Sequence, residues 1–203
     1  MILYEDKTIA AIATFNSDNR KTGDMVQVWI IPRDWSDDST VCGNCKHRPD
    51  NMGTCYVLKH QAPLAVWRKY TAGGYKPGVL PKGSLVRLGA WGDPGMLPLS
   101  TLKKILKGSR GHTGYTHQWK RLPSKYADLL MASVDSEEEK AEANAKGWRT
   151  FRVKKDEDQV LSREFYCPSP RLTCETCLAC HGGKSLGNVV INVHGRTKGR
   201  FSV

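Results

Sequence analysis

Apolar residues fall into short runs separated by polar and glycine-rich stretches. Met25 to Ile31 (MVQVWII) is a β-type run that Pro32 ends, and Thr8 to Phe15 supplies an earlier candidate strand. Ala62 to Tyr70 (APLAVWRKY) has helical spacing instead, with Leu64, Trp67 and Tyr70 apolar and Gly73-Gly74 as the stop. Leu85 to Leu88 predicts a short strand. Ser100 to Leu106 predicts a helix with Ser100 as N-cap and Gly108 after it. Thr113 to Thr116 reads as another strand and Pro123 to Asp128 as a helical segment. Leu129 to Val134 (LLMASV) is a continuous apolar strand of the kind buried on both faces. Ser136 to Ala145 is a Glu/Ala/Lys helix capped by Ser136, with Glu137 to Glu139 at its positive end. Trp148 to Val153 and Val189 to Val193 complete the series as strands.

Strands alternating with helices predict parallel βαβ units. The runs supply seven or eight strands. A small or incomplete (β/α) barrel is therefore the first expectation and a flat doubly wound sheet the second. The 203 residues suffice for one α/β domain spanning 1–203. Two polar, cysteine-bearing loops, at about 34–60 and 167–187, interrupt it. No run of 18 apolar residues predicts a membrane span. The N-terminus has acid ahead of its apolar stretch and no basic leader, which points to a cytoplasm.

Cysteine spacing changes the picture most. Seven is an odd number for a disulfide framework, and all seven fall in the two loops. The first group is Cys42-Gly-Asn-Cys45 followed by Cys55. The second is Cys167, then Cys174-Glu-Thr-Cys177-Leu-Ala-Cys180. A Cys-x-x-Cys turn aims two thiolates at one point while its amides donate to sulfur, which suits zinc and iron–sulfur clusters alike. The overlapping steps at Cys174, Cys177 and Cys180 are hard to use for one tetrahedral zinc and match a ferredoxin triplet. Cys167 precedes Pro168, as the last ferredoxin cysteine often precedes proline. The expected cofactor is an iron–sulfur cluster, [4Fe–4S] in the second loop, with zinc as the alternative. The first loop offers three thiols, with His47 and His60 nearby. It holds a zinc with a histidine, holds a cluster with one open iron, or shares a centre with the second loop.

Several strands run into a polar residue. Asp93 follows the strand at 85–88, His117 that at 113–116, Asp135 follows LLMASV and His194 follows VVINV. In (β/α) barrels catalytic groups from different strands converge at one mouth, where two carboxylates and two imidazoles would perform acid–base work. Each has a plainer role open to it: a turn residue at Asp93, an N-cap at Asp135, an ordinary histidine at His117 and His194. Trp91, Tyr115, Trp119 and Trp148 near these ends serve equally for stacking on a base or for packing a core.

A formal charge of +11 favours a polyanionic partner, nucleic acid or a nucleotide. The charge is dispersed over Lys103, Lys104, Lys107 and Arg110, over Lys120, Arg121 and Lys125, and over a tail with Lys184, Arg196, Lys198 and Arg200.

The order Cys55-Tyr56-Val57, Arg87-Leu88-Gly89 with Gly92-Asp93, Gly114 to Trp119, Ser133 to Ser136, Cys167-Pro168, Cys174, Cys177 and Cys180, then Val190 to Gly195, resembles an uncharacterised family of bacteriophage cysteine-cluster proteins with a barrel-like plan. A more distant likeness is to radical S-adenosylmethionine enzymes, which pair a partial barrel with a three-cysteine cluster. Cys42, Cys45 and Cys55 depart from their Cys-x-x-x-Cys-x-x-Cys spacing. Base transglycosylases are similar in combining a barrel, a cysteine zinc site and two aspartates, roles that Asp93 and Asp135 would fill. Three functions follow as expectations: an enzyme acting on nucleic acid or a nucleotide, a metal-stapled basic module binding nucleic acid or a host protein, and an electron-transfer protein.

Overall fold

The structure, a computed structural model, describes residues 1–48, 51–184 and 186–201. Pro49 and Asp50 of the first expected loop, and Ser185 of the second, lie outside the described residues. The fold is mixed α/β with two five-stranded sheets. The first contains β1 (Ile2–Glu5), β2 (Ile9–Thr14), β3 (Val26–Pro32), β4 (Leu85–Leu88) and β5 (Gly111–Thr113), in that spatial order. β1, β2 and β3 form an antiparallel meander, to which β4 and β5 add in parallel. The second contains β6 (Tyr115–Thr116), β7 (Met131–Val134), β8 (Thr150–Lys154), β9 (Glu164–Tyr166) and β10 (Asn188–Asn192), all parallel and ordered β6-β7-β8-β10-β9. The helices are α1 (Ser39–Cys42), α2 (Ala62–Thr71), α3 (Leu99–Leu106), α4 (Glu137–Ala145) and α5 (Cys174–Cys177).

The expected strand at 113–116 is divided. Gly114 alone separates β5 from β6, donates its N–H to the Cys180 carbonyl at 2.8 Å and accepts from the Met131 amide at 3.0 Å. The chain thus leaves one sheet and enters the other at a single residue. A Cβ here would stand 3.0 Å from both Leu88 and Leu130, so the position is as crowded as it is pivotal.

No closed barrel forms among the described residues. The β3 edge that closure requires is already paired with β2 in an antiparallel register, and β9 lies on the outer side of β10. Two strands, β1 and β9, go beyond the sequence expectation. The cap of α3 also differs: Pro98 holds the N-cap position and Ser100 lies inside the helix. Ser136 does cap α4, accepting from the Glu139 amide.

Strand periodicity sorts residues between two environments. Val86, Leu88, Ala132 and Val134 join Ile12, Val28, Ile30, Leu102 and Leu130 in one core that draws on both sheets. Their neighbours Arg87, Ser133, Phe151 and Val153 instead line a cavity of about 180 Å³, together with Thr113 and Tyr115. Met131, Phe151, Ala179 and Val189 form a smaller core, with Cys167, Cys177 and Cys180 packed against it. No helix of the described residues is long and apolar enough to cross a membrane.

Candidate functional site

The second cysteine group is built by a short turn and a guanidinium. α5 winds only Cys174 to Cys177, and Leu178 then adopts a left-handed conformation (φ 49°) with its amide bonded to the Cys174 carbonyl. That conformation costs a non-glycine residue about 1 kcal/mol, and it turns the chain before Cys180. Arg149 on the β8 approach is 6% exposed. It donates to the carbonyls of Ala179 (2.9 Å), His181 (2.8 Å) and Gly187 (2.7 and 3.0 Å). One buried cation therefore ties three carbonyls of the loop to the sheet. The loop also docks on residues 19–24: the Cys174 amide meets the Lys21 carbonyl and Glu175 accepts from the Asp24 amide. Cys167, Cys174, Cys177 and Cys180 all line one small cavity of about 20 Å³, and three of them, Cys167, Cys174 and Cys180, line the larger cavity as well.

The first group arises where α1 ends. The Cys45 amide donates to the Cys42 carbonyl at 3.1 Å and the Cys55 amide to the His47 carbonyl at 3.0 Å. Burial pushes all three thiols up, Cys45 to about 12, and the carboxylates nearest them (Asp38, Asp93 and Asp135) add to the effect. Cys45 and Cys55 face the same 180 Å³ cavity as the second group. Around Cys174 the nearby charges are positive instead: burial raises that thiol, while Arg87 and Lys21 oppose the rise.

Of the four strand-end residues, three come together. Asp93 is held by Gly92, whose φ of 78° and contact with the Ile30 carbonyl admit only glycine. Asp93 accepts from the Gly95 and His117 amides, both at 2.7 Å, so it caps a short 3-10 turn and also fixes the chain after β6. Its carboxylate lies 3.9 Å from the His117 ring. Burial raises the Asp93 carboxyl and lowers the His117 imidazolium, drawing both toward uncharged forms. Asp135 is 2% exposed and is not the cap of α4. It receives His47 Nε2 at 2.8 Å and Lys46 Nζ at 2.9 Å. Burial pushes its carboxyl up, but His47 and Lys46 outweigh this and hold it at about 2. Its other oxygen, Oδ1, has no hydrogen-bond partner among the described residues.

His47 links the two halves. Its ring stands edge-on to His117 at 5.3 Å and stacks on Phe201 at 5.9 Å. Nε2 donates to the ionised Asp135, and Nδ1 is hydrogen-bonded to the Thr54 hydroxyl. Both ring nitrogens are engaged, so His47 is not free to complete a three-cysteine zinc site; His60 is exposed. His117, by contrast, lines the cavity, its Nε2 has no hydrogen-bond partner among the described residues, and burial favours the neutral imidazole. His194 stands apart. It lines the cavity, but its ring lies on Tyr56 at 5.7 Å and its Nδ1 on the Asn192 carbonyl at 3.0 Å.

Among the described residues, no group of three or more His, Cys, Asp or Glu side chains is arranged to hold a metal ion. Six of the seven thiols line the two cavities, and Cys42 lines neither; they do not close into such an ion site. Trp91, Trp119 and Trp148 are core residues, Trp119 donating to the Ser133 carbonyl, and only Tyr115 of the four candidate stackers faces the cavity. Sequence reasoning quoted Arg87 only as part of a motif and gave no role to it, to Lys21 or to Arg149. Arg87 had a readable signal: it is the one charge in LVRL and falls on the strand face opposite Val86 and Leu88.

Comparison with protein-family models, with curated proteins and with solved structures finds no match. The functional reading rests on the residues themselves.

Proposed function

We propose that this protein is an iron–sulfur enzyme acting on a nucleotide or nucleic acid in the cavity between its two cysteine groups. The observation that carries the reading is one lining. Cys45, Cys55, Cys167, Cys174 and Cys180 surround the same 180 Å³ space as His47, His117, Arg87 and Tyr115. Cys167, Cys174, Cys177 and Cys180 would hold the cluster, with zinc as the alternative for the same thiols. Four soft sulfur donors line one cavity and are of the type that either would take, although as placed they do not close into a metal-holding group. Cys42, Cys45 and Cys55 would hold a centre with one position open, since His47 is engaged elsewhere. Parallel strands β3, β4, β6, β7, β8 and β10 would form the wall of an incomplete barrel around the substrate. A bound cluster supplies electron transfer or a Lewis-acidic iron. The chain's own part is to orient and protonate: His117 Nε2 accepts or returns a proton, Asp93 fixes that ring through its backbone, and Asp135 with Lys46 anchors the neighbouring His47. None of the seven thiols forms a disulfide, in keeping with a reducing compartment such as a cytoplasm.

The test is anaerobic purification followed by an absorption spectrum and assays for iron, zinc and acid-labile sulfide. About four iron and four sulfide per chain, with a broad thiolate-to-iron band, is the expected result for one [4Fe–4S] cluster. A colourless protein with stoichiometric zinc overturns the iron–sulfur reading.

A further inference from the structure

We infer that Arg87 and Lys21 form an anion subsite inside the cavity, and that its ligand is a nucleoside monophosphate whose phosphate they hold. The inference rests on reading the cavity as a substrate site, and it does not depend on which metal the thiols bind.

Arg87 carries the argument. It projects from β4 into the cavity and is half-buried there. Among the described residues it makes no ion pair with a carboxylate. Its partners are neutral: Nη2 donates to the Tyr56 hydroxyl at 2.6 Å and Nη1 to Gln27 Oε1 at 3.4 Å. The other long cations of this sheet region are committed. Arg152 is forked onto Glu164 through two 2.8 Å bonds, and Arg149 is spent on loop carbonyls. A guanidinium has five N–H donors in a planar fork, so Arg87 keeps donors in hand for an oxyanion. Lys21 lines the same cavity and also has no carboxylate partner among the described residues. Two cations with no acidic partner favour an anion that carries close to two charges at neutral pH, which a phosphate monoester does.

The rest of the lining selects the remainder of the ligand. Tyr115 and Phe151 stack on each other at 4.6 Å, and Tyr56, His194 and Phe201 add further rings. A ligand with a phosphate at one end and a flat ring at the other suits such walls. The charge is inside a cavity rather than along an open groove, which favours a mononucleotide over a polymer.

The test uses the full chain, purified without oxygen, with iron and sulfide measured on each preparation. The common ribo- and deoxyribonucleoside 5′-monophosphates are titrated calorimetrically beside the parent nucleosides, inorganic phosphate and a single-stranded oligonucleotide. At least one monophosphate is expected to bind about tenfold or more tightly than its nucleoside, the worth of a charge-assisted contact. Arg87→Gln is expected to erase that preference, and Lys21→Gln to reduce it about threefold. If Arg87→Gln unfolds, judged by thermal melting, Lys21→Gln carries the test alone. Equal binding of nucleoside and monophosphate overturns the inference, as does an unchanged preference in a folded Arg87→Gln protein. Tighter binding of the oligonucleotide than of every mononucleotide also overturns it. Phosphate-dependent binding by a preparation without iron leaves the subsite standing and removes only the cluster reading.

Discussion

The two cysteine groups share the Cys-x-x-Cys step but are held by opposite means. The second is tied down by cations: Arg149 bonds three of its carbonyls, and Arg87 and Lys21 stand beside Cys174. The first lies among carboxyl groups: Asp38 and Asp135, paired with Lys59 and Lys46, and Asp93, which burial draws toward its neutral form. A cluster held by four thiolates, as proposed, would bring surplus negative charge into this partly buried place, and the nearby cations would offset it. Identical local spacing therefore does not imply identical chemistry; the surroundings decide it.

The largest effect that separates the groups is on metal content. The pair Cys174→Ser and Cys177→Ser is expected to abolish acid-labile sulfide, because two of four ligands are gone. Cys42→Ser is expected to leave sulfide close to the wild-type amount. Equal loss in both variants, read by iron and sulfide assay, means that the groups share one centre and breaks the comparison.

Next in size is Arg149→Met. Removing the guanidinium leaves the Ala179, His181 and Gly187 carbonyls without their buried donor. A loss of about 3 kcal/mol is expected, at 1–3 kcal/mol for each unsatisfied group after partial relaxation. Urea unfolding measures it. A change within about 0.5 kcal/mol shows that the loop does not depend on this cation.

Asp135→Asn probes the acidic side. The Asp135 carboxyl is held at about 2 against an ordinary value of 3.8. Its contribution is therefore fully present above about pH 4 and is lost as pH falls toward 2. That difference is worth about 2 kcal/mol. The variant is expected to be less stable by about this amount at pH 7 and to have a flatter acid limb between pH 4 and 2. Melting across that range tests it, and an unchanged acid limb places the stabilising charge elsewhere.

How far the sequence disclosed this arrangement depends on the kind of signal. Short apolar runs and period-3.6 spacing found β2, β3, β4, β7 and α2 within a residue or two, because burial leaves those patterns directly in the sequence. β9 escaped: Glu164, Phe165 and Tyr166 include two exposed rings and no buried residue. The strand at 113–116 was read whole because nothing in one dimension shows that Gly114 exchanges partners between sheets. Asp93, His117 and Asp135 were legible as strand ends, since parallel strands deliver their ends to one side. His47 was legible only as a possible ligand. Its pairing with Asp135 spans 88 positions and has no local trace. His194 follows the same rule as the other three, yet Tyr56 and the Asn192 carbonyl hold it away from them.

The smallest effect concerns what covers the first group from outside. Phe201 is buried against the His47 ring, and the Thr197 hydroxyl reaches the carbonyls of Thr54 (3.1 Å) and Cys55 (3.3 Å). The chain after β10 thus straps the three-thiol loop but bonds none of the second group among the described residues. A valine at 197 keeps the shape and removes the donor, which is expected to cost about 1 kcal/mol. Because the strap touches one group alone, Thr197→Val is expected to quicken alkylation of Cys42, Cys45 and Cys55 and leave the other four unchanged. Mass-spectrometric mapping of thiol labelling reads this difference, and equal acceleration at all seven cysteines shows that the tail secures the whole cavity and not one side of it.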